Sequence, residues 1–260
     1  MRDTTATIDA LVEHPAETVI LSDFDGSLSP IVERPGDAVP HSAAFDALAA
    51  LVGRIGRVGI VSGRPIAFLA EQLPVPGLVY AGLYGMEVMV DGERRVDPAV
   101  LPFADAVAAA ADEADERLAG TIVERKAGVS VTLHWRTTPD RADEVIALAA
   151  DLAARHGLAQ FPTRSAVELR PPLAIDKGTA VDALVAGFSV AAFAGDDTGD
   201  LAAFAALDRA VVDGRIARAC RIGVRSPEMP EALPDAVDCL VDGPAGLVEL
   251  LAAVGRAVAG

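Results

Sequence analysis

Basic residues are scarce in this chain: 22 lysines and arginines stand against 38 aspartates and glutamates, a formal charge of -16 over 260 residues. That balance excludes a general polyanion-binding surface, and nucleic acid with it, so a phosphorylated ligand would need a local positive site. Cysteine is scarcer still. Cys220 and Cys239 are the only two, and neither stands at a metal-ligand spacing from histidine or from the other, which leaves hard oxygen donors for any metal. Nothing supports a disulfide framework or a thiolate catalyst. Although 52% of residues are hydrophobic, largely alanine, no apolar run approaches the roughly 20 residues that span a bilayer. The opening Met1-Arg2-Asp3-Thr4 has neither the basic nor the apolar block of a secretory signal. The expectation is a soluble, cytoplasmic protein without membrane partners. No internal repeat is evident, and the length suits one large domain or a core carrying an inserted unit.

What the chain does have is a series of short apolar runs ending in polar loops: Val19–Leu21, Val58–Val61, Leu78–Ala81, Val190–Ala194, Ile222–Val224 and Leu240–Val241. Helix-like segments over Ala43–Val52, Pro65–Gln72, Gly178–Val185 and Ala245–Val258 interleave with them, the pattern of a parallel sheet with covering helices. The middle breaks this rhythm. An alanine-rich amphipathic stretch over Phe103–Leu118 precedes two strand-like runs around Gly128 and a further helix, which Thr138 can cap and whose start suits Pro139, Asp140 and Asp143. The expected boundaries are a core over 1–96 and 171–260 and an inserted unit over 97–170.

Side chains on a strand alternate faces, so Glu124 and Lys126 share one, as do His134 and Arg136, and Glu168 and Arg170. The alternate positions Val131, Leu133, Trp135, Val167 and Leu169 are apolar. A small sheet backed by helices would then turn a charged face outward, either as a solvated surface with incidental ion pairs or as a grip for a hydroxyl-rich ligand.

The segment Ser22-Asp23-Phe24-Asp25-Gly26-Ser27 places two carboxylates where a buried strand yields to a loop, the edge at which open α/β sheets bind ligands. A carboxylate there can attack phosphorus, and a second can protonate the leaving alcohol and then activate water. Asp-x-Asp also serves as a plain turn or cap. A second acidic cluster, Gly195-Asp196-Asp197-Thr198-Gly199-Asp200, closes another apolar run, and two such strand ends can converge on a hard cation such as Mg2+. Between them, Ser62-Gly63-Arg64-Pro65 offers a hydroxyl and backbone amides to phosphate. Asp176-Lys177-Gly178 offers an ammonium that could balance the aspartates. Each has a bland structural role open to it as a turn or a surface lysine; their ordered conjunction is the signal.

That conjunction resembles the haloacid dehalogenase superfamily. Asp23-Phe24-Asp25-Gly26-Ser27-Leu28-Ser29-Pro30-Ile31, Ser62-Gly63-Arg64, Ala81-Gly82-Leu83-Tyr84-Gly85, Glu124-Arg125-Lys126, Glu168-Leu169-Arg170-Pro171 and Lys177-Gly178 resemble the trehalose-6-phosphate phosphatase family within it. The resemblance implies a Rossmann-like, doubly wound parallel-sheet core with an inserted α+β cap, and Mg2+-dependent hydrolysis of a sugar phosphate. It implies Asp23 as nucleophile and Asp25 as general acid and base. It implies Mg2+ on Asp23, the Asp25 carbonyl and Asp196 with Asp197 and Asp200 in its outer shell, and Ser62, Gly63 and Lys177 on the phosphoryl group. Glu124, Lys126 and Glu168 match positions that hold sugar hydroxyls, with Arg64 and Arg136 as further substrate contacts. Trehalose 6-phosphate is the expected substrate. Glucosylglycerate-type, sucrose or pseudo-disaccharide phosphates are the alternatives, and a phosphomutase or a phosphoacceptor regulatory domain is a rival reading. The chain makes three departures from the family pattern: Ser27 replaces threonine, Tyr84 replaces histidine, and Leu201-Ala202 replace an acidic pair.

Overall fold

A computed structural model describes residues 4–163 and 165–260; the opening residues 1–3, where the absent signal block was read, and Arg164 lie outside the described residues. Along the chain come α1 (Thr4–Val12), β1 (Thr18–Ser22), α2 (Ala44–Leu51), β2 (Arg57–Val61), α3 (Ile66–Gln72) and β3 (Val79–Gly82). A hairpin of β4 (Glu87–Val90) and β5 (Glu93–Val96) follows, then α4 (Ala104–Arg117), β6 (Ile122–Lys126), β7 (Ser130–His134), α5 (Ala142–His156), β8 (Ala159–Pro162) and β9 (Ala166–Arg170). The chain closes with α6 (Lys177–Leu184), β10 (Val190–Gly195), α7 (Asp200–Val212), β11 (Arg218–Val224), β12 (Cys239–Val241) and α8 (Gly243–Ala259). Two compact units result: Met1–Arg95 with Ile175–Gly260, and Val96–Ala174.

The first unit is built on one sheet in the order β12-β11-β10-β1-β2-β3-β4-β5. β12 through β3 pair in parallel, and β4 joins β3 antiparallel. A strand covered on both faces must be apolar throughout, which is why β1 and β10 are buried at every position. Ile20, Val58, Ile60 and Ala192 pack with α1, α2, α3 and α8, while Val19, Leu21, Val61 and Phe193 pack with α6 and α7. The order reverses at β1, which lies between β2 and β10, so the loops after β1 and β10 diverge from one crevice. Cys220 and Cys239 are buried free thiols in the first of these layers, and burial pushes the Cys220 thiol up to about 11.

The second unit carries an antiparallel sheet, β6-β7-β9-β8. Val131, Leu133, Val167 and Leu169 face α4 and α5 and form its core. Register sets Glu124 opposite Thr132 and Thr132 opposite Glu168, with Lys126 opposite Ser130, so the polar residues share the other face. Two expectations need correction. β7 ends at His134, so the alternation does not extend to Arg136, which lies in the following turn. Thr138 does not cap: Pro139–Arg141 form a 3-10 turn without a side-chain cap bond, and the Thr138 hydroxyl is buried without a partner. α1, the β4–β5 hairpin and α7 carried no signal that the sequence reading used. No helix among the described residues is long and apolar enough to cross a membrane.

Candidate active site

The crevice at the strand reversal collects four of the aspartates. Asp23 follows β1 and donates its backbone N–H to Ala194 of β10 at 2.8 Å, which fixes the two strand ends to each other. Asp196 follows β10; its Oδ1 accepts from the Ser27 hydroxyl at 3.2 Å. Asp200 opens α7, and its Oδ2 accepts the backbone N–H groups of Asp196 at 2.7 Å and Asp197 at 3.0 Å, folding the acidic loop around one carboxylate. Gly26 is required twice over. Its φ of +83° favours glycine, and a Cβ there would come within 2.1 Å of Asp196 Oδ2.

Lys177 reaches this cluster from the first turn of α6. Asp176 anchors that turn, accepting from Thr179 N–H in a capping box. The Lys177 ammonium lies 2.6 Å from Asp200 Oδ1, 3.0 Å from Asp23 Oδ1 and 3.8 Å from Asp197 Oδ1. Asp23, Lys177, Asp196 and Asp200 are all buried. One cation among so many carboxylates leaves a negative excess in a desolvated place, and the titration behaviour follows. Burial pushes the Asp23 carboxyl well above its ordinary 3.8, against Lys177 and with help from Asp200, Asp197 and Asp196. Burial likewise pushes Asp196 up to about 7 and Asp200 up to about 6. Burial alone would lower Lys177, but Asp197, Asp200 and Asp23 outweigh it and hold the ammonium protonated. Asp197 is held low because Lys177 and the bonds around Asp200 overcome its own burial.

These residues fit a divalent cation. Carboxylate oxygens of Asp23, Asp196 and Asp200 lie within 4.8 Å of one another, and Asp196 Oδ2 is buried with no hydrogen-bond partner, a costly arrangement for a carboxylate oxygen that a metal would relieve. The Asp200 oxygens in this cluster are already taken up by Lys177 and two backbone amides.

Asp25 points to a different partner. Arg64 Nε and a terminal guanidinium nitrogen each donate to its carboxylate at 2.7 Å, a bidentate pair. The same guanidinium donates to Pro35 O at 2.6 Å and lies over the Phe68 ring, with its carbon 4.7 Å from the centroid. Arg64, expected as a substrate contact, is here bonded to the Asp25 carboxylate. Ser62 is buried after β2, its hydroxyl accepting from Arg64 N–H at 3.2 Å. Tyr84 lies on Gly63, where a Cβ would meet its ring at 2.7 Å. Leu201 packs among the residues of the α6–α7 layer, and the Ala202 carbonyl lies 2.6 Å from where a Gly178 Cβ would be, so these departures from the pattern are positions of helix packing.

On the second unit's polar face, Glu168 accepts from Ser130 Oγ at 2.6 Å and pairs with Lys126 at 3.4 Å, all three buried. Glu124 pairs with His134 at 2.9 Å. The Arg170 guanidinium lies 3.4 Å from the centroid of Phe161. Arg136, half-buried in its turn, stands outside the ladder that aligns the others. Sequence reasoning passed over Ser130, although alternation from Thr132 places it on this face. It also passed over Ser226, two residues beyond the end of β11, whose hydroxyl offsets part of the rise that burial imposes on Asp196 and which the strand-end rule could have found.

A family model described as trehalose-phosphatase matches residues 21–229. The trehalose-phosphate phosphatase of Mycobacterium avium (strain 104) is 35% identical over 214 residues, which cover 77% of this chain and 53% of that protein. An uncharacterized glycosyl hydrolase of Mycobacterium tuberculosis is 39% identical over 168 residues, 63% of this chain but 12% of the relative. The chain therefore spans about half the length of the first relative and a small part of the second. In fold it resembles the C-terminal domain of Candida albicans trehalose-6-phosphate phosphatase, with a TM-score of 0.77 at 19% identity over 98% of this chain and 97% of that one.

Proposed function

Since the chain belongs to the trehalose-phosphatase family, we propose that it is a Mg2+-dependent phosphatase that hydrolyses trehalose 6-phosphate to trehalose and inorganic phosphate. The observation that carries this reading is the buried cluster of Asp23, Lys177, Asp196 and Asp200 at the sheet's strand reversal. Asp23, the Asp25 carbonyl and Asp196 would hold Mg2+, with Asp197 and Asp200 around them. When bound, the ion offsets the repulsion between the nucleophile and the phosphoryl oxygens.

The chain's own groups carry the steps. Ser62, the Gly63 amide and Lys177 hold the phosphoryl oxygens. An Asp23 oxygen forms a bond to phosphorus as the bond to the sugar oxygen breaks, and protonated Asp25 gives its proton to that oxygen. Asp25, now a carboxylate, takes a proton from water, whose oxygen attacks phosphorus and frees Asp23 with release of inorganic phosphate. The Arg64 pair, in which both Asp25 oxygens accept, matches the carboxylate form that takes the proton from water, and it opens at one oxygen when Asp25 acts as the acid. On the second unit, Glu124, Lys126 and Glu168 would recognise sugar hydroxyls, with Arg136 as a further contact, and their rigid pairs favour a hydroxyl-rich ligand over an apolar one.

A phosphate-release screen over trehalose 6-phosphate, sucrose phosphate, glucosylglycerate-type phosphates and simple hexose phosphates, with Mg2+ and with chelator, tests chemistry, cofactor and substrate together. Trehalose 6-phosphate should give the highest kcat/KM and chelation should abolish release. A positional isomer without phosphate release would replace hydrolysis by a mutase, and a stable phosphoprotein without turnover would replace it by a phosphoacceptor.

A further inference from the structure

Glu87 carries no part in the steps above, yet it is a buried carboxylate, 1% exposed, bonded to the start of the helix that follows Ser62-Gly63-Arg64-Pro65. It opens β4, and its Oε1 accepts the backbone N–H of Ile66 at 2.5 Å. Its Oε2 accepts two bonds from Arg94 on β5, one of them at 2.7 Å from Nε. Ile66 is the first residue of α3 and is preceded by Ser62-Gly63-Arg64-Pro65. Pro65 has no N–H, so the Ile66 amide is the first donor after Arg64, and the first turn of a helix offers it no internal partner.

The rest of the segment holds the same loop. Leu83 N–H donates to Arg64 O at 3.0 Å and Tyr84 N–H to Ser62 O at 2.9 Å. Both residues adopt left-handed backbone, with φ of 51° and 62°, a conformation that costs a residue with a side chain and persists only where its surroundings impose it. Gly82 lies beneath the Glu87 bond: a Cβ there would come within 2.8 Å of Ile66 N and 2.9 Å of Glu87 Oε1. Bonds from Leu83 and Tyr84 and to Glu87 thus fasten segment 83–87 to the Ser62–Ile66 loop, and the Glu87 bond is made by its side chain.

We infer that Glu87 is a positioning residue for the phosphate loop: through the Ile66 amide it sets where Ser62 and the Gly63 amide meet the phosphoryl group. The inference rests on the reading of Ser62 and Gly63 as phosphate ligands. It predicts an effect on every phosphorylated ligand alike, because the loop holds the phosphoryl group rather than the sugar.

The test compares wild type, Glu87→Gln and Glu87→Asp. Glutamine keeps an acceptor at Oε1, whereas aspartate keeps the charge but draws the acceptor back by about 1.5 Å, one carbon–carbon bond. The readouts are inhibition by inorganic phosphate, kcat/KM on trehalose 6-phosphate and on 4-nitrophenyl phosphate, and the thermal midpoint. Glu87→Asp should raise Ki for phosphate roughly tenfold and lower both kcat/KM values by a similar factor, the worth of one charge-assisted hydrogen bond. Glu87→Gln should restore Ki to within about threefold of wild type by keeping that bond. A lowered midpoint with unchanged Ki, or a glutamine variant as impaired as the aspartate one, would overturn the inference. Should Glu87→Asp not fold, Arg94→Gln at its half-exposed position loosens the same carboxylate and should raise Ki about threefold, on the scale of a neutral hydrogen bond; no rise overturns it too. Wild-type protein that is neither inhibited by phosphate nor able to release it would overturn the reading of Ser62 and the inference together, whereas a wild type inhibited by phosphate and matched by Glu87→Asp would overturn the role of Glu87 alone.

Discussion

The two charged regions of this molecule neutralise themselves in different ways. On the second unit's sheet each carboxylate has one side-chain partner, Glu168 with the Lys126 ammonium and Glu124 with the His134 ring, on neighbouring strands. In the core, Lys177 faces Asp23, Asp197 and Asp200 with Asp196 close by, and the carboxylates are held by backbone amides and strand ends. The first arrangement gives each carboxylate a side-chain partner of its own. The second carries an uncompensated negative charge out of water, and that charge is the physical reason for a cation and for a phosphoryl group that arrives with it. On the proposed function, chemistry and selectivity fall to different residues because they need different electrostatics.

The sharpest way to break this division is to damage each region and read two substrates. Asp23→Asn should leave the fold intact and lower turnover of trehalose 6-phosphate and 4-nitrophenyl phosphate alike by about a thousandfold or more, because an amide is no nucleophile. Glu124→Ala should lower kcat/KM for trehalose 6-phosphate by roughly a hundredfold while changing the aryl phosphate by less than about threefold. Equal losses on both substrates from Glu124→Ala would return the second unit's face to a purely structural role.

Stability against pH separates the regions next. Asp196 and Asp200 have an ordinary value of 3.8 but titrate near 7 and 6 in the folded protein. Between pH 4 and 7 the folded chain therefore keeps protons that the unfolded chain has lost, and stability falls as pH rises through that window. Without metal, the thermal midpoint should decline from pH 5 to pH 8. Added Mg2+ should restore it most at pH 8, where the carboxylates it binds are ionised. A metal-free midpoint that rises over this range would contradict the burial of an excess negative charge.

The smallest expected effect lies on the second unit. Thr132 stands between Glu124 and Glu168 in register, and its hydroxyl is buried without a hydrogen-bond partner. Thr132→Val removes a group that is desolvated with no bond in return, so it should be neutral or stabilise by about 1 kcal/mol, measured by denaturant unfolding. A clear loss of stability would show that this face holds a bond the paired description omits.

Much of the core was legible in the sequence because its signals are local. A parallel strand covered on both sides must be an apolar run, and β1, β2 and β10 stand where such runs lie, each giving way to the polar residues of the site. The second unit's faces were legible through alternation, and they failed at Arg136, where β7 has already ended. Strand ends are poorly marked by composition, and a turn resets which face a side chain takes. Thr138 failed as a cap because a 3-10 turn intervenes before α5. α7 is not marked separately in the sequence, because Asp200 both belongs to the acidic cluster and begins the helix.

By itself, the sequence determined which chemistry is available: carboxylates after two buried strands, a hydroxyl and glycine after a third, and a lysine at a helix start. Those features follow from neighbouring residues, through periodicity, burial and the breaks that glycine and proline impose. Only the tertiary structure decided partnership. It put Arg64 on Asp25 across 39 positions, Ser27 on Asp196 across 169, and Glu87 on the Ile66 amide across 21. Such pairings depend on which strands lie side by side and which loop ends meet, and hydrogen bonds, acting over about 3 Å, are fixed only when the whole sheet has closed around them.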